Sequence, residues 1–125
     1  MAKRVLLAED EPHIVESLSF LLGRAGFEIT TEMNGAQALT NALDDPPDVM
    51  LLDVMLPELD GFEMLRTLRA DPRTAGLPVV MLTAKGLRED RERAAQLGAD
   101  VFITKPFSNL EVVETVKHLA QNGRA

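Results

Sequence analysis

The segment Val49-Met50-Leu51-Leu52-Asp53 decides how this chain is read. Four consecutive apolar residues predict a strand covered on both faces, as in a parallel sheet. Asp53 ends the run, where a carboxylate beside so much apolar surface needs a partner. Working outward, strands are predicted over Val5–Glu9, Glu28–Thr31, Val79–Thr83 and Val101–Thr104, four of the five strands being mostly apolar, and longer segments of helical period separate them. Five such strand-and-helix units predict an α/β domain built on a parallel sheet.

The helices carry their own start and stop signals. Asn34 with Gln37, Asp60 with Glu63, and Ser108 with Glu111 have capping-box spacing, and Pro12 suits the first turn of the first helix. Ile14, Leu18, Leu21, Leu22 and Ala25 fall on one stripe of that helix, which Gly26 is placed to end; Leu110, Val113 and Val116 are expected to do the same in the last helix. Asp44-Asp45-Pro46-Pro47 and Asp71-Pro72 close the second and third helices. The fourth, from Leu87 to Leu97, contains Arg88-Glu89-Asp90-Arg91-Glu92-Arg93 and offers only Leu87, Ala94, Ala95 and Leu97 for packing, so it is expected to be the most weakly anchored. Met33, Met50, Met55, Met64 and Met81 are expected to pack inside.

Composition bounds the function. At 125 residues the chain is expected to form a single domain over 1–125, with no room for a second. A net charge of −7 argues against direct nucleic-acid binding, and the absence of Cys removes thiolate chemistry and disulfides. No apolar run approaches the length of a signal-peptide core or a membrane span, so no membrane association and a cytoplasmic location are expected.

Polar residues collect at the C-terminal ends of the predicted strands: Glu9 and Asp10, Asp53, Thr83 and Lys105. In open parallel sheets this edge binds ligands. Three converging carboxylates call for a cation, and an oxygen-liganded hard ion, Mg²⁺ above all, fits. Glu9, Asp10 and Asp53 supply three negative charges, which Mg²⁺ and Lys105 would balance. A carboxylate can also attack phosphorus, with lysine, hydroxyl and metal orienting the phosphoryl oxygens. Taken singly, Asp10 reads as a helix cap, Thr83 as a strand-end residue and Lys105 as a surface lysine; their meaning lies in the set.

Glu9-Asp10, the Asp53-x3-Pro57-x3-Gly61 segment, Thr83-Ala84 and Lys105-Pro106-Phe107, in this order, resemble the receiver domain of two-component response regulators along nearly the whole chain. The resemblance implies a flavodoxin-like, doubly wound sheet in the order 2-1-3-4-5 with five flanking helices, and a cis peptide before Pro106. It implies that Asp53 accepts a phosphoryl group from a phosphohistidine on a sensor histidine kinase or histidine phosphotransfer protein. It further implies Mg²⁺ held by Asp10, Asp53 and the Met55 carbonyl, with Glu9 acting through water. Thr83 then corresponds to the hydroxyl that moves towards the phosphoryl group, Lys105 to its cation partner and Phe102 to the aromatic that turns inward with Thr83.

The domain is thus expected to be a signalling module that catalyses only its own phosphorylation and dephosphorylation. The loop Ala84-Lys85-Gly86 leads from Thr83 into the thinly packed fourth helix, so output is expected through the fourth helix, fifth strand and fifth helix to a protein target. Met55, Pro57 and Thr83 resemble receivers of winged-helix transcription regulators, which pair through that face using intermolecular charges. Arg91, Asp100, Glu111 and Lys117 fit such a set, but Val101 and Thr115 stand where that subtype carries an acid and a base, so a monomer is expected. Two rivals fit less well. A flavodoxin-like cofactor protein needs a phosphate-cradling loop where Ala8-Glu9-Asp10-Glu11 would repel phosphate, and a haloacid-dehalogenase-like phosphatase needs an acid where Met55 stands.

Overall fold

A computed structural model describes residues 2–83 and 88–123. Ala84 of the Thr83-Ala84 pair, the loop Ala84-Lys85-Gly86 and the expected helix start at Leu87 lie outside the described residues. Five strands, β1 (Arg4–Ala8), β2 (Glu28–Glu32), β3 (Val49–Asp53), β4 (Val79–Thr83) and β5 (Val101–Thr104), alternate with α1 (Pro12–Arg24), α2 (Gly35–Asp44), α3 (Gly61–Ala70), α4 (Arg88–Leu97) and α5 (Asn109–Asn122). The strands form one parallel sheet in the order β2-β1-β3-β4-β5, as expected.

Burial explains the strand sequences. Every residue of β3 and β4 is buried, which is why both read as continuous apolar runs. The outer strand β2, with sequence EITTE, is largely exposed and correspondingly polar. Alternate strand residues serve opposite faces. Leu6, Ala8, Met50, Leu52 and Met81 pack towards α2, α3 and α4 with Met64, Leu65 and Leu68. Val5, Leu7, Leu51 and Leu82 pack towards α1 and α5 with Leu18, Leu22, Val113 and Val116.

Several local expectations need correction. β1 ends at Ala8, so Glu9 lies just past the strand. Leu110 is 67% exposed, and α5 instead buries Val112, Val113, Val116 and Leu119. A 110-113-116 series advances 300° per step and drifts off one face, whereas 112, 116 and 119 keep to it. In α1 only Leu18 and Leu22 are fully buried, and Ala25 is exposed as the C-cap. Met33 and Met55 lie on the surface, unlike Met50, Met64 and Met81. Asn34 caps the Gln37 amide as its spacing suggested, but Asp60 accepts from Phe62, one residue earlier than a capping box predicts.

The register sets the site. β3 and β4 align Asp53 with Leu82, and β4 and β5 align Thr83 with Thr104. The C-terminal ends of β1, β3, β4 and β5 therefore lie along one edge of the sheet.

Candidate functional site

At that edge, the first strand hands its chain directly to two acids. Glu9 is fully buried, and its Oε2 accepts the amide protons of Asp10 at 3.0 Å and Glu11 at 3.3 Å. These bonds turn the Glu9 carboxylate back over the entrance to α1. Asp53, also buried, ends β3, and its Oδ1 accepts from the Met55 amide at 3.1 Å. Carboxylate oxygens of Glu9, Asp10 and Asp53 lie within 4.8 Å of one another.

Lys105 reaches this cluster from beyond β5. Its Nζ donates to Asp53 Oδ2 at 3.0 Å and lies 2.7 Å from Glu9 Oε1. The Lys105 amide donates to the Thr83 carbonyl at 2.6 Å, which supports that reach. The Lys105-Pro106 peptide is cis, as expected. Burial works against the Lys105 ammonium, but its contacts with Glu9 and Asp53 outweigh it and raise its pKa above the ordinary lysine value. The Glu9 carboxyl is pushed up to about 7, chiefly by burial and then by the neighbouring Asp53, with Lys105 pulling the other way.

One ammonium therefore does not offset three close carboxyls. Glu9 Oε1 also lacks an aligned hydrogen-bond donor despite the nearby Lys105 charge. A buried, under-satisfied oxygen within an all-carboxylate group is the donor chemistry of a hard divalent cation, so these residues fit Mg²⁺.

Next to the cluster lies a cleft of about 650 Å³ whose lining includes Asp10, Met55, Pro57, Thr83, Asp90 and Arg93. Thr83 is buried at the end of β4 and faces this cleft. Met55, two residues past Asp53, has its side chain exposed. The structure thus gathers Glu9, Asp10, Asp53, Thr83, Met55 and Lys105 at one edge.

Phe102 sits apart, on β5. It is half-buried against the core shared with α3 and α4, and the Arg91 guanidinium lies 5.1 Å from its ring centroid. Arg91 also donates to Thr104 Oγ1 at 2.8 Å. Of the charges considered for pairing between molecules, Asp100 is turned inward. Its carboxylate, 3% exposed, accepts from Arg69 at 3.1 Å and from the Val79 amide at 2.8 Å. Sequence reading missed Arg69, which also donates to the Gly98, Thr74 and Ala75 carbonyls. It missed Glu58 as well, whose partner lies 24 positions away. No local spacing signals either pairing.

Residues 5–117 match the family model of the response regulator receiver domain. The phosphate regulon transcriptional regulatory protein PhoB of Escherichia coli (strain K12) is 44% identical over 118 residues, 94% of this chain and 51% of that protein. The alkaline phosphatase synthesis transcriptional regulatory protein PhoP of Bacillus subtilis (strain 168) is 43% identical over 94% of this chain and 48% of its own length. The chain spans about half the length of the curated relatives it matches. Among solved structures, a putative response regulator from Chloroflexus aurantiacus J-10-fl superposes with a TM-score of 0.90 at 31% identity, covering 98% of this chain and all of that one (100%). The receiver domain of the sensor histidine kinase PA1611 from Pseudomonas aeruginosa PAO1, with a magnesium ion coordinated in its active site cleft, gives 0.84 at 30% identity, covering 98% and 100% of the two chains.

Proposed function

Since the chain belongs to the response regulator receiver domain family, we propose that it is a switch controlled by Mg²⁺-dependent phosphorylation of Asp53. The donor is a phosphohistidine of a sensor histidine kinase or histidine phosphotransfer protein. An Asp53 carboxylate oxygen attacks phosphorus, the P–O bond forms as the P–N bond breaks, and the imidazole nitrogen keeps the bonding pair. The observation that carries this reading is the buried Asp53 carboxylate, 3.0 Å from Lys105 Nζ and grouped with Glu9 and Asp10.

Each neighbour has a role that its position supports. Asp10, Asp53 and the Met55 carbonyl would hold the metal, with Glu9 acting through water. Bound there, Mg²⁺ neutralises the carboxylates and the charge on the transferring phosphoryl oxygens. Lys105 follows the negative charge from the carboxylate to the phosphoryl group. The Thr83 hydroxyl, at the wall of the same cleft, donates to a phosphoryl oxygen once the group has arrived. Water attack on the phosphorus of the acyl phosphate breaks its bond to the Asp53 oxygen, releases inorganic phosphate and returns Asp53 to its carboxylate.

The output is a shift in population between two arrangements of the α4-β5-α5 face, because phosphoryl contacts favour one of them. Movement of Thr83 makes room for Phe102 to turn inward, which requires its stacking with Arg91 to break or follow. The domain then binds a protein target as a monomer through that face.

Intact-mass measurement after incubation with a small phosphoryl donor tests the chemistry. Gain of one phosphoryl group with Mg²⁺, none with a chelator and none in Asp53→Asn is the expected result. Undiminished labelling of Asp53→Asn would remove Asp53 as the nucleophile.

A further inference from the structure

The loop between β3 and α3, residues 54–60, carries Met55 and is fastened at two places. At its base the Gly61 amide donates to the Val54 carbonyl at 2.8 Å. A Cβ on Gly61 would lie 2.7 Å from Asp53 O and Val54 Cα, so the base closes this tightly only around glycine. The tip is fastened to a different element. The Gly35 amide, in the first turn of α2, donates to the Pro57 carbonyl at 3.0 Å. A Cβ there would meet Leu59 O at 2.6 Å.

Between these backbone contacts, Asn34 Nδ2 donates to Glu58 Oε2 at 2.6 Å. Glu58 has φ of +70°, the one non-glycine with positive φ among the described residues. That conformation is unfavourable for a residue with a Cβ, and glycine or asparagine would adopt it at lower cost. A glutamate there calls for a reason, and its carboxylate supplies one by reaching Asn34. Both ends of the Asn34 amide are engaged, since its Oδ1 caps the Gln37 amide at 3.1 Å while its Nδ2 serves Glu58. A carboxylate only accepts, so this orientation of the amide is fixed.

We propose that the Asn34–Glu58 hydrogen bond is a latch between α2 and the β3–α3 loop that positions the Met55 carbonyl for the divalent cation. The inference rests on the reading of the site as a Mg²⁺ site. Glu58 acts through the loop as a positioning residue and is no ligand itself. Latching lowers the cost of ordering the loop when the cation arrives, which is a preorganisation effect.

Asn34→Asp tests this, because aspartate keeps the helix cap but sets a second carboxylate against Glu58. Titration calorimetry with Mg²⁺ is expected to give a dissociation constant about two- to fivefold higher than wild type, the worth of one exposed hydrogen bond. In the metal-free protein, amides of residues 54–60 are expected to exchange faster by a similar factor. An added negative charge acting only through its field would tighten Mg²⁺ binding, so the sign separates the two effects. Adding Glu58→Gln to Asn34→Asp restores the hydrogen bond with donor and acceptor exchanged at the original net charge, and is expected to restore the wild-type constant. Wild-type or tighter binding by Asn34→Asp, or a double variant as weak as the single one, would overturn the latch alone. A wild-type chain that takes up no Mg²⁺ would overturn the metal-site reading and the latch together.

Discussion

Helices α4 and α5 border the same outer strand, β5, yet they are held in opposite ways. α5 buries Val112, Val113, Val116 and Leu119, whereas α4 buries only Ala94. Polar and aromatic contacts take the place of apolar burial in α4. Arg91 lies over Phe102, Arg93 lies 4.4 Å from the Phe62 ring centroid, and Arg69 grips the Gly98 carbonyl just past the helix end through Nε at 3.0 Å and Nη2 at 2.9 Å. Burying a large aliphatic side chain contributes a few kcal/mol that is lost whenever the helix leaves its seat. Guanidinium contacts with ring faces, such as those of Arg91 and Arg93, are worth less apiece and can be exchanged for others. The difference is that aliphatic burial seats α5, whereas polar and ring contacts seat α4.

Two truncations break that comparison. Arg69→Ala removes the partner of the buried Asp100 carboxylate and is expected to cost about 3–5 kcal/mol of unfolding free energy. Leu119→Ala opens a cavity under α5 and is expected to cost about 2–5 kcal/mol. Urea unfolding measures both, and native amide exchange separates them. Local opening should appear in α4 for Arg69→Ala and in α5 for Leu119→Ala. A nearly neutral Arg69→Ala would show that α4 is anchored by something other than these polar contacts.

A pH-dependent effect sharpens the contrast between the helices and the site they flank. With the Glu9 carboxyl pushed up to about 7 from an ordinary 4.5, the metal-free folded chain keeps a proton that the unfolded chain has released between those values. The contribution of Glu9 to stability therefore falls as pH rises through that window and levels off above it. Unfolding in chelator across this range should show the slope, and Glu9→Gln should flatten it. An unchanged slope in Glu9→Gln would assign the effect to other groups.

How much of this was legible in the sequence follows from how far each signal reaches. β3 and β4 fall where their apolar runs predicted, because a strand buried on both faces must be apolar along its length, and β5 falls where predicted although only Ile103 of it is fully buried. The polar residues at the strand ends were legible for a related reason, since only there can a parallel sheet present them together. Leu110 misled because a three-residue spacing resembles a helical stripe over one step and leaves the face by the next. Asp100 was read as an outward charge because its partner Arg69 lies 31 positions away, and nothing local announces that the two meet. The same distance blindness hid Asn34 and Glu58, although a non-glycine after Pro57 in a tight loop was a usable hint.

We propose that a phosphoryl group on Asp53 repositions α4 and leaves α5 seated. Amide exchange by mass spectrometry, on the chain with and without that group, tests it most directly. The account predicts changed protection across Arg88–Leu97 and unchanged protection across Asn109–Asn122. Identical protection of α4 in the two states would contradict it.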